Sequence, residues 1–307
     1  MTDLGELETF LGLQIKRDRS KGLLTVGQQN YIDRILHRHG MQDARPSLTP
    51  LDPNLRFSGH TSIEASVSAD QDISIELYQS AVGSLMYAML GTRPDLAYAV
   101  GLVSQFNHSP KAEHWIAVKP IFRYLVRTRM FVLEYGTSNR SGGYSDADWG
   151  SENDRKSVGG YLFLLNGGAI SWASKKQKSI ALSTTEAEYM AMTQAAKEIL
   201  WLQVLLDEIG AFKHISPIST LYADNQGAIA LARNPEYHAR TKHIDIQYHF
   251  IRDLITSAKL DLRFCPSSDM IADIMTKSLP RATHEKHTQA MGLIGEAGYG
   301  MLREGAC

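Results

Sequence analysis

Gly142-Gly143-Tyr144-Ser145-Asp146-Ala147-Asp148-Trp149-Gly150 opens the second half of the chain, and after a polar loop Lys156-Ser157-Val158-Gly159-Gly160 follows it. Tyr144, Asp146 and Asp148 alternate, so on a strand they share one face. Two carboxylates on one face of an otherwise core-like strand are costly to bury unpaired. A metal cation is the usual way to stabilise such a pair. Taken alone, the segment is better read as a strand end spilling into a polar turn, with Asp148 as a loop carboxylate. Three later segments change that reading.

Downstream, strands are predicted at Gly143–Asp148, Gly160–Leu165 and Ala169–Ala173. Asn166-Gly167 between the last two is the strongest short hairpin signal in the chain, and Gly168 would lengthen the loop. A long helix is predicted from Ser183 to Ile209, with Ser183 and Glu186 as a capping box and Gly210 as its stop. Its apolar stripe runs Met192, Ala195, Ile199, Leu202, Leu206, Ile209. Four residues back from Met192 on that stripe lies Glu188, an acid where a core residue is expected. Glu186 lies about 200° around the helix and faces solvent or the cap. The competing reading of Glu188 is a frayed first turn in which it complements the helix dipole.

Asp224 follows a strand candidate, Pro217 to Ala223, and precedes a short helix, Asp224 to Ala232. The carboxyl end of a strand is where α/β proteins place sites, but an Asp there is also an ordinary helix N-cap. A helix from His243 to Ser257, a strand from Leu260 to Phe264 and a last helix from Ser268 to Thr276 complete the pattern. Asp273 sits beside Met270 and Ile274 in that last helix, a common place for a boundary salt bridge. The layout is mixed α/β with an antiparallel start.

Upstream of Arg140 the pattern differs. Phe10–Lys16 and Leu23–Val26 suggest a hairpin around a polar turn. Helices are predicted at Gln28–His39, Ile75–Leu90, Pro94–Phe106 and Lys111–Arg127, the last kinked or divided at Pro120. Pro94 and Asp95 suit a first helical turn. Met41 to Ile73 reads as a long irregular connection. Arg123, Arg127 and Arg129 are best read as a solvated face.

The 307 residues carry a formal net charge of −1, with 43% hydrophobic and 21% charged residues. This is an ordinary globular composition, long enough for one large or two ordinary domains. Near-neutrality gives no global case for nucleic acid, so any such case rests on local patches. Two cysteines, Cys265 and the final Cys307, build neither a disulfide framework nor a cysteine metal cluster. No apolar run is long enough to span a bilayer, and the acidic N-terminus lacks a signal-peptide layout. A cytoplasmic or nuclear location with no membrane partner is expected.

An Asp on the first strand, a Glu on the first helix, an Asp ending a middle strand and an Asp on the final helix resemble the ribonuclease H family. The local words are closer still. Gly-Tyr-Ser-Asp-Ala-Asp-Trp, Ala-Ile-Ser-Trp-Ala-Ser-Lys-Lys-Gln, Leu-Ser-Thr-Thr-Glu-Ala-Glu-Tyr-Met-Ala, Thr-Lys-His-Ile-Asp-Ile-Gln-Tyr-His-Phe-Ile and Ala-Asp-Ile-Met-Thr-Lys are similar to the ribonuclease H domain of copia-type LTR retrotransposon polyproteins. Gly5 to Ile15, Tyr78 to Tyr87 and Thr92-Arg93-Pro94-Asp95-Leu96 resemble the end of the reverse transcriptase in those polyproteins. The resemblance runs to about Leu293.

It implies an α/β, ribonuclease H-like mixed sheet with antiparallel first three strands and flanking helices, preceded by a mainly helical thumb- or connection-like region. The implied domains are 1–139, a partial reverse transcriptase; 140–283, the ribonuclease H-like domain; and 284–307, a C-terminal tail. The family's catalytic, metal-binding carboxylates carry over to Asp146, Glu188, Asp224 and Asp273. The resemblance thus favours Asp146 over Asp148, which periodicity alone does not separate. It also implies two magnesium ions, with manganese as the substitute, roughly 4 Å apart, cutting the RNA strand of an RNA/DNA hybrid. The rest of the reverse transcriptase/integrase polyprotein is the implied protein partner.

Tyr222-Ala223-Asp224-Asn225 looks like a polymerase box but has Asn225 where a second Asp is needed, so no polymerase activity is expected. Lys175, Lys176, His238, Arg240, Lys242 and His243 are candidate contacts to the hybrid backbone; a zinc site among the histidines has no supporting cysteine or HExxH word. The alternatives to a nuclease are a non-catalytic module that binds nucleic acid or a partner, and a remnant that folds poorly.

Overall fold

The computed structural model describes residues 5–55, 74–136, 138–150, 154–213, 218–234 and 245–295. The chain divides into two compact units. The first is Met1–Asn139, Asn166–Ala169 and Ser278–Cys307; the second is Arg140–Leu165 and Ile170–Lys277.

The first unit begins with β1 (Thr9–Phe10), β2 (Leu13–Asp18) and β3 (Leu23–Gly27). β2 and β3 form the expected hairpin, with Ile15 opposite Val26. Next come α1 (Gln29–Arg38), α2 (Ile75–Gly91), a 3-10 turn at Pro94–Leu96, α3 (Ala97–Ser104) and α4 (Ala112–Thr128). α4 continues through Pro120 as one helix rather than dividing there. These helices share a core that includes Ile32, Ile35, Tyr78, Leu85, Val100, Ile121 and Leu125. In α2, Leu77 and Met86 are exposed, and Tyr78, Ala81 and Ala88 are among the buried positions. β4 (Val132–Tyr135) then pairs antiparallel with β3, a strand too short to announce itself in the sequence.

Asp95 lies in the first turn, as expected, and also makes a buried ion pair. It pairs with Arg93, both side chains being fully buried, at 2.7 Å from Nη2 to Oδ2. Arg93 also donates to Thr128 O (3.1 Å) and Thr128 Oγ1 (2.7 Å).

The second unit opens with β5 (Gly142–Asp148) and β6 (Val158–Leu165), antiparallel, with Asp146 opposite Gly160. β7 (Gly168–Lys176) follows after a two-residue turn in which Asn166 (φ 50°) and Gly167 (φ 89°) are both left-handed. That conformation matches the twist of a tight hairpin. α5 (Thr184–Glu208) starts at its cap, with Ser183 Oγ accepting from Glu186 N at 3.2 Å. Then come β8 (Thr220–Ala223), α6 (Gln226–Arg233), α7 (Asp245–Thr256) and β9 (Asp261–Phe264). The sheet order is β7-β6-β5-β8-β9, with β8 parallel to both β5 and β9. Phe163, Met192, Ile199, Leu221, Ile229, Ile251 and Leu262 belong to one core beneath it.

The helix expected at 268–276 is instead two 3-10 turns, Ser267–Asp269 and Ile271–Met275. Met270 separates them in an extended conformation, φ −73° and ψ 94°. Gly160 lets the second turn approach the sheet, since a Cβ there would lie 2.4 Å from Met275 Cβ.

From Ser278 the chain is again in the first unit. α8 (Arg281–Ala290) and β10 (Leu293–Ile294) occupy much of the stretch expected as a tail from 284. β10 pairs antiparallel with β4 and completes a second sheet, β1-β2-β3-β4-β10. The mainly helical region thus also carries a five-stranded sheet, of which only the β2–β3 hairpin was expected.

Candidate metal centre

Three carboxylates meet where β5, β8 and α5 converge. Parallel pairing sets Gly143 beside Leu221 and Tyr144 beside Tyr222. Carried two residues further, that register brings Asp224, just past the end of β8, alongside Asp146. The rings of Tyr144 and Tyr222 stack with centroids 4.9 Å apart. Asn225, not Asp224, caps α6, its Oδ1 accepting from Ala228 N at 2.9 Å. Asp224 is therefore not spent on the helix; its Oδ2 accepts from Ser267 Oγ at 2.8 Å.

α5 turns Glu188 inward on the stripe with Met192, Ala195, Ile199, Leu202 and Leu206, whereas Ile209 at the far end is exposed. Glu186 stays at the cap, where its Oε2 accepts from Leu182 N at 2.9 Å. Each of Asp146, Glu188 and Asp224 offers an oxygen within 4.8 Å of the others. Asp146 is 2% exposed and Glu188 6%. Glu188 Oε2 is buried without a hydrogen-bond partner among the described residues. A carboxylate oxygen left in that state is destabilising unless a cation or a proton reaches it. Three hard oxygen donors with an orphaned buried atom among them fit a magnesium- or manganese-type ion.

Asp273 is buried beside this group without being part of the tight triad. Its Oδ1 is 3.0 Å from Lys277 Nζ, which also lies 3.8 Å from Asp146 Oδ2. Thr276 Oγ1 donates to that same Oδ2. Thr276 and Lys277 belong to the Ala-Asp-Ile-Met-Thr-Lys word but carry no role of their own in the sequence reading. The available signal was a lysine four positions past Asp273, the spacing at which side chains on one helical turn meet. Asp148 is half-buried at the end of β5 and outside the triad.

The electrostatics match crowded acids. Burial pushes the Glu188 carboxyl up to about 10, with the charges of Asp146 and Asp224 adding to it. Burial, then Asp146, pushes Asp273 up to about 7 against the pull of Lys277. Asp146 is also raised, by burial above all, with Lys277 and Thr276 opposing. Burial works against the Lys277 ammonium, yet Asp146 and Asp273 hold its pKa above the ordinary value.

Of the basic candidates, Lys175 is exposed at the end of β7 and Lys176 pairs with Asp154 at 3.0 Å. His238, Arg240, Lys242 and His243 lie outside the described residues.

A mixed sheet in this strand order, flanked by helices and with acids at the ends of its central strands, makes the second unit a ribonuclease H-like fold. The chain is 45% identical over 295 residues to the Retrovirus-related Pol polyprotein from transposon TNT 1-94 of Nicotiana tabacum, covering 95% of this chain and 22% of that protein. It is 38% identical over 294 residues to the corresponding polyprotein from transposon RE1 of Arabidopsis thaliana, covering 95% and 19%. Over 95% of its length the chain is thus similar to retrovirus-related Pol polyproteins of transposons, and it spans about a fifth of the length of these relatives. Among solved structures, LC11-RNase H1, isolated from compost, is similar at 15% identity and a TM-score of 0.35, covering 48% of this chain and 97% of that one. No protein-family model matches the chain. Among the described residues no helix is long and apolar enough to cross a membrane.

Proposed function

We propose that the second unit is a divalent-metal-dependent endonuclease that hydrolyses the RNA strand of RNA/DNA hybrids, as part of a retrotransposon reverse transcriptase. The observation that carries this reading is the meeting of Asp146, Glu188 and Asp224 within 4.8 Å, with Glu188 Oε2 buried and unpaired. These three residues, with Asp273 beside them, would hold the metal; magnesium suits an all-oxygen donor set, and manganese is the natural substitute. A divalent ion bound there would acidify a water near a phosphodiester and stabilise charge on the leaving 3′ oxygen. The chain's own part is to hold the carboxylates aimed at one point. The sheet fixes Asp146 and Asp224, and the capped first turn of α5 fixes Glu188. Thr276 and Lys277 orient Asp146 from the other side. Lys175 and the basic residues between His238 and His243 are the proposed contacts to the hybrid backbone. The 2′-hydroxyl would distinguish the RNA strand. The proposed context of residues 1–139 is the end of the reverse transcriptase, with the remaining polyprotein as partner.

The test is cleavage of a labelled RNA/DNA hybrid by the full chain with and without magnesium, beside Asp146→Asn and Glu188→Gln. Metal-stimulated cleavage lost in both variants supports the reading. Equal cleavage in the variants, or hybrid binding in a gel shift with no metal-stimulated cleavage, would overturn it, the latter in favour of a binding module.

A further inference from the structure

Lys277 stands where the acids are thickest. Its ammonium lies 3.0 Å from Asp273 Oδ1 and 3.8 Å from Asp146 Oδ2. The neighbouring Thr276 hydroxyl donates to the same Oδ2 of Asp146. That oxygen therefore already faces two donors from the turn that follows Ile271–Met275, and Asp273 is drawn to the ammonium rather than into the triad with Glu188 and Asp224. A cation bridging Asp146 and Asp273 would have to occupy the space of the Lys277 ammonium, and two positive charges at such a separation repel. The lysine has a further advantage over a free ion. It is tethered four residues from one of its carboxylates, so its effective concentration at the site is high.

Resting on the nuclease reading above, we propose that Lys277 is a built-in occupant of the second cation position. The free protein then takes one divalent ion, at Asp146, Glu188 and Asp224, and a second only when the ammonium is displaced. Lys277 would thereby set the order in which charge enters the site. It acts on the metal through Asp146 and Asp273 and is a positioning residue.

The proposal is tested by titrating Mn2+ into the full chain without nucleic acid, read by calorimetry and by the spin resonance of bound Mn2+. Wild type and Lys277→Arg, which keeps the charge, are expected to bind one ion. Lys277→Met, which keeps the apolar stem of a partly exposed side chain, is expected to bind two over the same concentration range. Two ions of similar affinity in wild type, or one ion in Lys277→Met, would overturn the role of Lys277 while leaving the nuclease reading intact. Absence of Mn2+ binding in all three proteins, or an affinity unchanged by Glu188→Gln, would instead sink the metal site itself and this inference with it.

Discussion

Arg93 and Asp95 in the first unit, and Asp146 and Glu188 in the second, are all nearly sealed from solvent. In the first unit the opposite charges are equal in number. The guanidinium also spends two further donors on Thr128 O and Thr128 Oγ1, near the rings of Tyr124 and Phe131. In the second, Asp146, Glu188, Asp224 and Asp273 lie together, Lys277 pairs with Asp146 and Asp273, and among the described residues a buried oxygen of Glu188 is left without a hydrogen bond. Saturated charge is a structural device: removing one partner is costly and adding an ion achieves nothing. Unsaturated charge of one sign is unstable as it stands and gains from a cation supplied from outside.

This contrast is open to attack by mutation. Arg93→Ala strands a buried Asp95 and should cost about 3–5 kcal/mol in chemical denaturation, with or without magnesium; a much smaller loss would mean that the pair is not sealed. Asp146→Asn should lower hybrid cleavage by about 10²–10³-fold and, in the absence of metal, should leave the melting temperature unchanged or raise it, because it removes a repelling charge. Gly160→Ala puts a methyl group against Met275 and should cost about 1–3 kcal/mol, with weakened metal affinity as the second readout because the turn carrying Asp273 must shift.

A fourth prediction concerns pH. Glu188 and Asp273 have folded-state pKa values raised to about 10 and about 7, above the ordinary 4.5 and 3.8. The folded chain therefore holds protons that the unfolded chain has released, and metal-free stability should fall as pH rises from about 4 through 7 and beyond. Saturating magnesium should flatten that slope. A melting temperature that rises over this range without metal would contradict the crowding of the acids. Smallest, Ser183→Ala removes the cap of α5 and should cost about 1 kcal/mol, with a modest loss of metal affinity because Glu188 sits in the following turn.

Much of this was legible in the sequence where local chemistry spoke alone. The Tyr144-Asp146-Asp148 alternation gave β5, Asn166-Gly167 gave the hairpin, and the stripe leading back from Met192 turned Glu188 inward. Asp224 was undecidable locally, because cap and ligand readings share its position; the structure shows the cap role passing to Asn225. Asp273 was set on a helix because periodicity carries no sign of the extended break at Met270. β4 and β10 were missed for a different reason. They are four and two residues long, and pair with segments distant in sequence. Lys277 was visible only as the last letter of a familiar word, since its meaning depends on Asp146, 131 positions earlier.

The pairing of β10 with β4 has a consequence for anyone handling the protein in pieces. Residues before Arg140 and after Lys277 are sewn into a common sheet, so the ribonuclease H-like unit is spliced into its host rather than appended to it. A single nick near Arg140 would divide the sequence without dividing the structure. An expression fragment starting at Arg140 and running to the end would carry α8 and β10 away from the strand they were made to meet.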